Sequence, residues 1–324
     1  MIKRILPLLL LIVVFSLFAL SLGAAEISHV WSYVINPVHD VNSTSHQIIW
    51  EIRAPRIGAA ILIGACLGIA GVLAQGATNN PLADPAILGT SAGAAVGVVT
   101  GVLLNVVTIG SIGAVLMAAV GALLATLLTF SLARSALQLI TIGIGVSAIL
   151  TAVVGLAISM ISRPDARSVS FWSFGSLALV TPKTLAVLLP VMCIGAAFAW
   201  KISPTIDLLS LGDDSVRHMG FDPQKIRLRS FILLATLIAA TVSSVGSIAF
   251  LALAAPHIAR YAVGPQNRKL VFLSAAIGAL ILLIADTASR ALVPPNELPI
   301  GLLTSLLGAP ILIITLKRGG DIWR

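Results

Sequence analysis

The sequence predicts an all-α, polytopic membrane protein with about ten transmembrane helices and short helices in one polar segment. Three observations predict it. Of 324 residues, 58% are hydrophobic and 10% charged, and the mean hydropathy of +1.07 lies far above that of soluble globular domains. Apolar stretches close to the ~20 residues needed to cross a hydrocarbon core recur along the whole chain. A single polar island, Ser203 to Arg229, interrupts them with the densest cluster of charges in the protein. Residues 1–324 therefore read as one membrane domain, without internal repeats or a soluble module.

The spans follow in order. Lys3 and Arg4 precede an apolar run from Ile5 to Ala25, and the small residues Gly23, Ala24 and Ala25 give it the form of a signal peptide. The many later spans favour an uncleaved first transmembrane helix instead. Glu26 to Trp50 is an external stretch whose His29, His39 and His46 fit no metal-ligand spacing. The second span, Ile57 to Gly76, contains Gly64 and Gly68, and the third, Ile87 to Leu104, contains Gly89, Gly93, Gly97 and Gly101. A four-residue ladder of glycines lies near one helix face and allows close packing, within the subunit in preference to a subunit interface or pore lining. The fourth, fifth and sixth spans are Ile112 to Leu132, Leu139 to Ile161 and Thr184 to Trp200. Ser230 to Val245 and Ser247 to Val263 are short and adjoin at Ser243, Ser244, Gly246 and Ser247, so they form either a hairpin or one bent helix. Leu270 to Ala291 and Ile300 to Leu316 complete the set.

Helix-start residues mark the polar island. Asp207 stands ahead of a Leu-Leu pair, and Asp213, Asp214 and Ser215 stand ahead of Val216 to Met219, with Gly212 and Gly220 as stops. The expectation is two short surface helices joined by a tight turn.

Charge fixes the orientation. With ten spans, Lys3, Arg4, Arg134, Lys201, Arg217, Lys225, Arg227, Arg229, Arg260, Arg268, Lys269, Lys317, Arg318 and Arg324 share one side, and only Arg53, Arg56, Arg163, Arg167, Lys183 and Arg290 lie opposite. That bias makes the first set cytoplasmic, with both termini and the polar island, whereas nine spans would move the groups after the seventh outside. The net charge of +8 and pI near 10.2 therefore report membrane orientation, because the cations sit between spans and form no basic face for nucleic acid. Cys66 and Cys193 lie in apolar stretches and read as small hydrophobes.

Several chemistries have no signature here. The sequence has no GxxxxGK[ST] phosphate loop, HExxH or GxSxG motif. Asp286 is the clearest intramembrane carboxylate and lies one turn before Arg290, the spacing of a local ion pair. An ion-coupled secondary transporter needs ionisable or broken-helix sites at the midplane, and an intramembrane enzyme needs a nucleophile with its base. The sequence offers little of the first and none of the second.

The remaining strings are Arg53-Ala-Pro-Arg56, Asn80-Pro81-Leu-Ala-Asp84-Pro85, Leu88-Gly89-Thr-Ser-Ala-Gly93, Phe171-Trp172, Gly175-Ser176-Leu177, Pro256-His257-Ile-Ala-Arg260, Ala285 to Arg290, Glu297-Leu-Pro299-Ile-Gly301 and Gly308-Ala-Pro310. Pro85 has the chemistry of a first helical turn. In this order and separation, from about Arg53 to Leu316, the strings resemble the permease subunits of the ABC importers for iron-siderophores, haem and cobalamin. Val216, Met219 and Ala252 depart from that family's pattern, by modest volume changes.

The resemblance implies a transport subunit in a bacterial or archaeal cell membrane, with no catalytic residue, metal or cofactor of its own. Its partners would be a second permease copy or paralogue, membrane lipid, cytoplasmic ATPases holding ATP and Mg²⁺, and an external substrate-binding protein. The segment 203–229 would be the cytoplasmic ATPase-coupling element, through Leu211, Gly212, Asp213, Asp214, Arg217 and Gly220. Arg53, Arg56 and Arg290 would receive the binding protein. The fifth and tenth spans, helped by the third and eighth, would line the pathway. Iron-siderophore is the expected cargo, with haem or cobalamin as the alternative.

Overall fold

The computed structural model describes residues 2–318 except 24, 26, 28, 37–42, 87, 110, 134, 162–168 and 295, and leaves aside the side chains of 2, 3, 136, 307 and 311–318. His39, Arg134, Arg163, Arg167 and Arg324 from the sequence reading lie outside the described residues.

Among the described residues the regular structure is helical, without strands. The helices are α1 (Ile2–Ser21), α2 (Val30–Ile35), α3 (Thr44–Gln47, continued by a π-helical turn Ile48–Arg53), α4 (Ala54–Thr78), α5 (Thr90–Leu103), α6 (Ile112–Leu132) and α7 (Ala136–Met160). They continue as α8 (described over 169–173), α9 (Pro182–Leu208), α10 (Asp213–His218), α11 (Pro223–Val245), α12 (Leu251–Val263), α13 (Asn267–Ala291) and α14 (Ile300–Arg318). A helix stands at each of the ten predicted places. Seven are long and apolar enough to cross a membrane, while α5, α12 and the apolar part of α14 are shorter.

Local chemistry sets the boundaries. Ser111 and Ser135 accept from the backbone N–H groups of Ala114 and Gln138 to start α6 and α7. Asp222 accepts from Gln224 and Lys225 ahead of Pro223 at the first position of α11. The third helix differs from expectation. Pro85 lies in a turn, and α5 begins only at Thr90 after Gly89, whose φ of +85° no other residue adopts without strain. The turn is held from outside: Ser147 and Thr129 donate to the carbonyls of Ala86 and Leu88, at 2.7 and 3.1 Å.

The centre of the bundle is α4, almost wholly buried and packed against α9, α11, α12 and α13. Lipid tails are as apolar as the helices, so association rests on close fit. Gly64 and Gly68 press on the backbone of α13 at Gly278 and Ser274, and Gly71 presses on Ala252 of α12, each with no room for a Cβ. The ladder in α5 serves the same end inside the subunit, with Gly93 and Gly97 against Gly121 and Met117 of α6.

The seventh and eighth segments are separate. Helix α11 stops at Val245, residues 246–250 are non-helical, and α12 starts after Phe250 in the left-handed region. The eighth segment is therefore part non-helical and part helix. Backbone can leave the helix at membrane depth only where protein surrounds it. Here Gly246 abuts the Trp172 carbonyl, Ser176 N–H donates to Val245, and Gly175 and Gly301 crowd Ser247. The carbonyls of Gly175 and Phe174 accept from Ile300 and Gly301, which ties the start of α14 just after Pro299 to the same knot. The five residues 246–250 carry no ionisable group, so the ion-coupled alternative gains no site from this break.

Candidate coupling segment and outer ionic cluster

The polar island is built as an extension of α9 and one short helix. Helix α9 runs 27 residues, about 40 Å against a hydrocarbon core of ~30 Å, so its last turns project into the aqueous phase. The first of the two expected short helices is thus the tail of α9 with a 3₁₀ turn, Leu209–Leu211, and the second is α10. Capping at Asp207 is absent because its carboxylate is used across the fold, accepting from the backbone and side-chain N–H groups of Asn267 at 3.0 and 2.8 Å.

Gly212 turns the chain at φ 85°, ψ 152°, a region open to glycine alone, and Gly220 closes α10 at φ +84°. Between them the two acidic residues have different roles. Asp213 takes both terminal nitrogens of Arg227, at 2.8 and 2.7 Å, and the Arg227 Nε donates to the Ala77 carbonyl at 3.2 Å. The Arg227 hydrogen bonds hold the Asp213 carboxyl below the usual carboxylate range, against an opposing effect of partial burial. Asp214 faces water and pairs with Arg217 one turn on at 2.9 Å. Val216 and Leu209 point inward and are buried, whereas Leu211, Met219 and Phe221 are exposed together with Arg217. Val216 is fully buried beneath α10.

Beside the segment lies a half-open polar cleft of 640 Å³ between the ends of α4, α9 and α12. Gln75, Asn79, Asn80, Asp207 and Arg260 line it, and the Arg260 Nη2 donates to Gln75 Oε1 at 2.8 Å. Asn80 shapes the turn after α4 by accepting from the Leu82 N–H, and Pro81 forms part of the cleft wall. Asp84 accepts from the Ala86 N–H at 2.7 Å, and burial pushes its carboxyl up to about 6. Pro256 and His257 are interior residues of α12, with the His257 ring edge-on to Tyr261. Among the described residues no group of three or more His, Cys, Asp or Glu side chains could hold a metal.

At the opposite end the three arginines expected to dock a binding protein are inside the subunit. Arg53, Arg56 and Arg290 are only 3, 4 and 5% exposed. Arg56 bridges Asp286 and Glu297, at 2.7 Å to each, and Arg290 reaches the other Asp286 oxygen at 3.2 Å and the Leu22 carbonyl at 3.1 Å. Arg53 donates to the carbonyls of Leu20 and Ala25. Within the subunit these cations fasten the end of α1, the start of α4 and α13 together. The i,i+4 spacing revealed Asp286 with Arg290, but nothing local pairs Arg56 with residues 230 and 241 positions away. Arg227, Asn267 and Ala77 were missed for the same reason.

The FecCD transport family profile matches residues 8–318, nearly the whole chain. The chain belongs to the FecCD transport family. An iron(3+)-hydroxamate import system permease, FhuB of Bacillus subtilis, is 34% identical over 93% of this chain and 79% of its own length. A hemin transport system permease, HmuU of Yersinia pestis, is 34% identical over 96% of this chain and 94% of its own. A metal-chelate-type ABC transporter solved in an inward-facing conformation superposes with a TM-score of 0.86, at 28% identity, covering 98% of this chain and all of that one. This FecCD chain is accordingly a multi-pass membrane protein with the fold of an ABC transporter permease.

Proposed function

We propose that this chain is the membrane-spanning subunit of an ATP-driven importer that moves an iron-siderophore chelate into the cytoplasm. The observation that carries the reading is the anchored segment 207–227, joined to a chain whose FecCD relatives are import permeases. Exposed Leu211, Met219 and Phe221 with Arg217 offer an apolar patch with a charged rim to a cytoplasmic ATPase. Binding of ATP and Mg²⁺ on that partner displaces the segment. Three rigid links carry the displacement into the membrane: α9 itself, Arg227 to α11 and the end of α4, and Asp207 to the start of α13. Both termini lie on the segment's side, which is cytoplasmic, as the cation bias requires.

The cargo is a substrate that meets small and aliphatic side chains on its way through, so the external binding protein sets most of the selectivity. The hemin permease relative is as similar to this chain as the hydroxamate one, which makes haem the second reading. The decisive experiment is uptake into proteoliposomes containing this chain, its ATPase and its binding protein. Ferric siderophore should accumulate only with internal ATP and with the ATPase present. Accumulation driven by an ion gradient without ATPase would overturn the proposal, and haem uptake in place of siderophore would overturn its cargo.

A further inference from the structure

The outer face of the α9–α13 pair is not occupied by any other element among the described residues. An apolar groove of 500 Å³ runs there between Met192, Cys193, Ala196, Ala197 and Trp200 of α9 and Phe272 and Ala275 of α13. The positions recur at three- and four-residue spacing, so each helix contributes one continuous stripe. The eight steps from Met192 to Trp200 give the groove a length of about 12 Å, less than half of a ~30 Å hydrocarbon core. It therefore lies within one leaflet, the one nearest the 203–229 segment.

The groove has a charged end. Arg268, one turn before Phe272 on the same stripe, stacks over the Trp200 ring with its guanidinium carbon 4.0 Å from the centroid. Lys201 follows Trp200, and Lys269 follows Arg268; all three cations are exposed. Among the described residues none of the three has an acidic partner. Arg268 and Lys269 occupy the first turn of α13, whose N-terminus takes its anion from Asp207 through the Asn267 N–H, so neither cation is paired within its own turn. Tryptophan and long basic side chains together mark the headgroup level of a bilayer.

We propose that this groove is a binding site for an anionic phospholipid, with an acyl chain laid along Cys193, Ala197 and Phe272 and the phosphate among Lys201, Arg268 and Lys269. Charge complementarity selects the occupant: a neutral lipid would fill the groove and leave three cations unanswered, while a second protein chain would need acidic residues at that height. A basic residue near an anionic headgroup favours it by up to about fivefold, and three sharing one phosphate should together favour it at least about tenfold. The site clamps α9 to α13 below the point where Asp207 and Asn267 join them, so the lipid would stiffen one of the links to the coupling segment.

The test uses the full chain in bilayer nanodiscs with phospholipids brominated at mid-chain, reading the part of the emission that Trp200→Phe removes. Brominated phosphatidylglycerol should quench Trp200 half-maximally at about one tenth of the mole fraction that brominated phosphatidylcholine requires. The triple variant Lys201→Gln, Arg268→Gln, Lys269→Gln should abolish that preference. Ala197→Leu with Ala275→Leu, which fills the groove and keeps the charges, should weaken quenching by both lipids. Equal quenching by the two headgroups overturns the site, as does a preference that survives the triple variant. Absence of quenching by either lipid overturns it in favour of a protein surface covering the groove. Loss of the phosphatidylglycerol preference in millimolar inorganic phosphate would overturn its lipid specificity, showing that the three cations accept any phosphate.

Discussion

Arg227 holds Asp213 through both terminal guanidinium nitrogens, at 2.8 and 2.7 Å, while its Nε reaches the carbonyl of Ala77 at the end of the central helix. One side chain thus connects the polar segment, α11 and α4. Removing the anion leaves a cation that is 5% exposed without its partner.

Asp213→Ala is therefore expected to destabilise the protein by about 2 kcal/mol, less than the ~3–5 typical of a fully buried pair because Asp213 is partly in water. Asp214→Ala, losing only an exposed pair with Arg217, should stay within about 0.5 kcal/mol. Thermal unfolding of both variants in detergent, alongside ATPase co-purification, checks this. Equal effects of the two substitutions would contradict the separate roles. The Asp213 contribution is present above the ordinary carboxylate pKa, because its folded pKa is lowered, and is lost as pH falls through the folded value.

Gly220→Pro removes the N–H that donates to Arg217 and forces φ from +84° to the negative value proline requires. The variant should insert at normal abundance yet lose ATPase association and transport. Wild-type uptake by an abundant Gly220→Pro protein would contradict the coupling role of this segment.

Asp84 has the opposite sign. Its carboxyl is raised to about 6 by burial, so ionisation above that pH costs the folded state about 3 kcal/mol relative to an unfolded value near 3.8. Asp84→Asn keeps the acceptor for the Ala86 N–H and removes the charge. The melting temperature of the wild type should fall as pH rises from 4 to 7, and the variant should be flatter over that range and more stable at pH 7. A parallel pH profile for the two proteins would count against a buried carboxyl here.

Arg56→Gln should destabilise by about 3 kcal/mol or more, since Asp286 is fully buried and would keep only the Arg290 contact. Glu297→Gln, at the partly exposed edge of the cluster, should have a smaller effect. Denaturation midpoints in detergent rank the two, and a reversed order would show that the cluster is not the fastening inferred.

Orientation is checked by single cysteines in a background lacking Cys66 and Cys193. A cysteine at Thr44 should react with an impermeant reagent in intact spheroplasts, and cysteines at Ser215 and Arg268 only after lysis. Labelling of position 268 from outside would reverse the assignment for α13.

Composition and the recurrence of apolar stretches determined that this chain is helical and lies in a membrane, because each span must satisfy its own backbone there. Glycine spacing exposed the tight helix faces, and the order of short strings pointed to the FecCD family. Polar breaks located the segment 203–229, since charges among apolar spans must reach water. Other features were decided only in three dimensions. The pairing of Arg227 with Asp213, of Arg56 with Asp286 and Glu297, and of Asp207 with Asn267 joins residues that no helical period relates. The same packing carried Arg53, Arg56 and Arg290 inward, where the sequence had placed them only at the outer ends of the second and ninth spans. The eighth segment is non-helical over 246–250, where Gly175, Gly246 and Gly301 let neighbouring backbone approach closely and the Ser176 N–H donates to the carbonyl that ends α11. A linear pattern fixes which residues prefer water, but which cation meets which anion depends on how the helices cross.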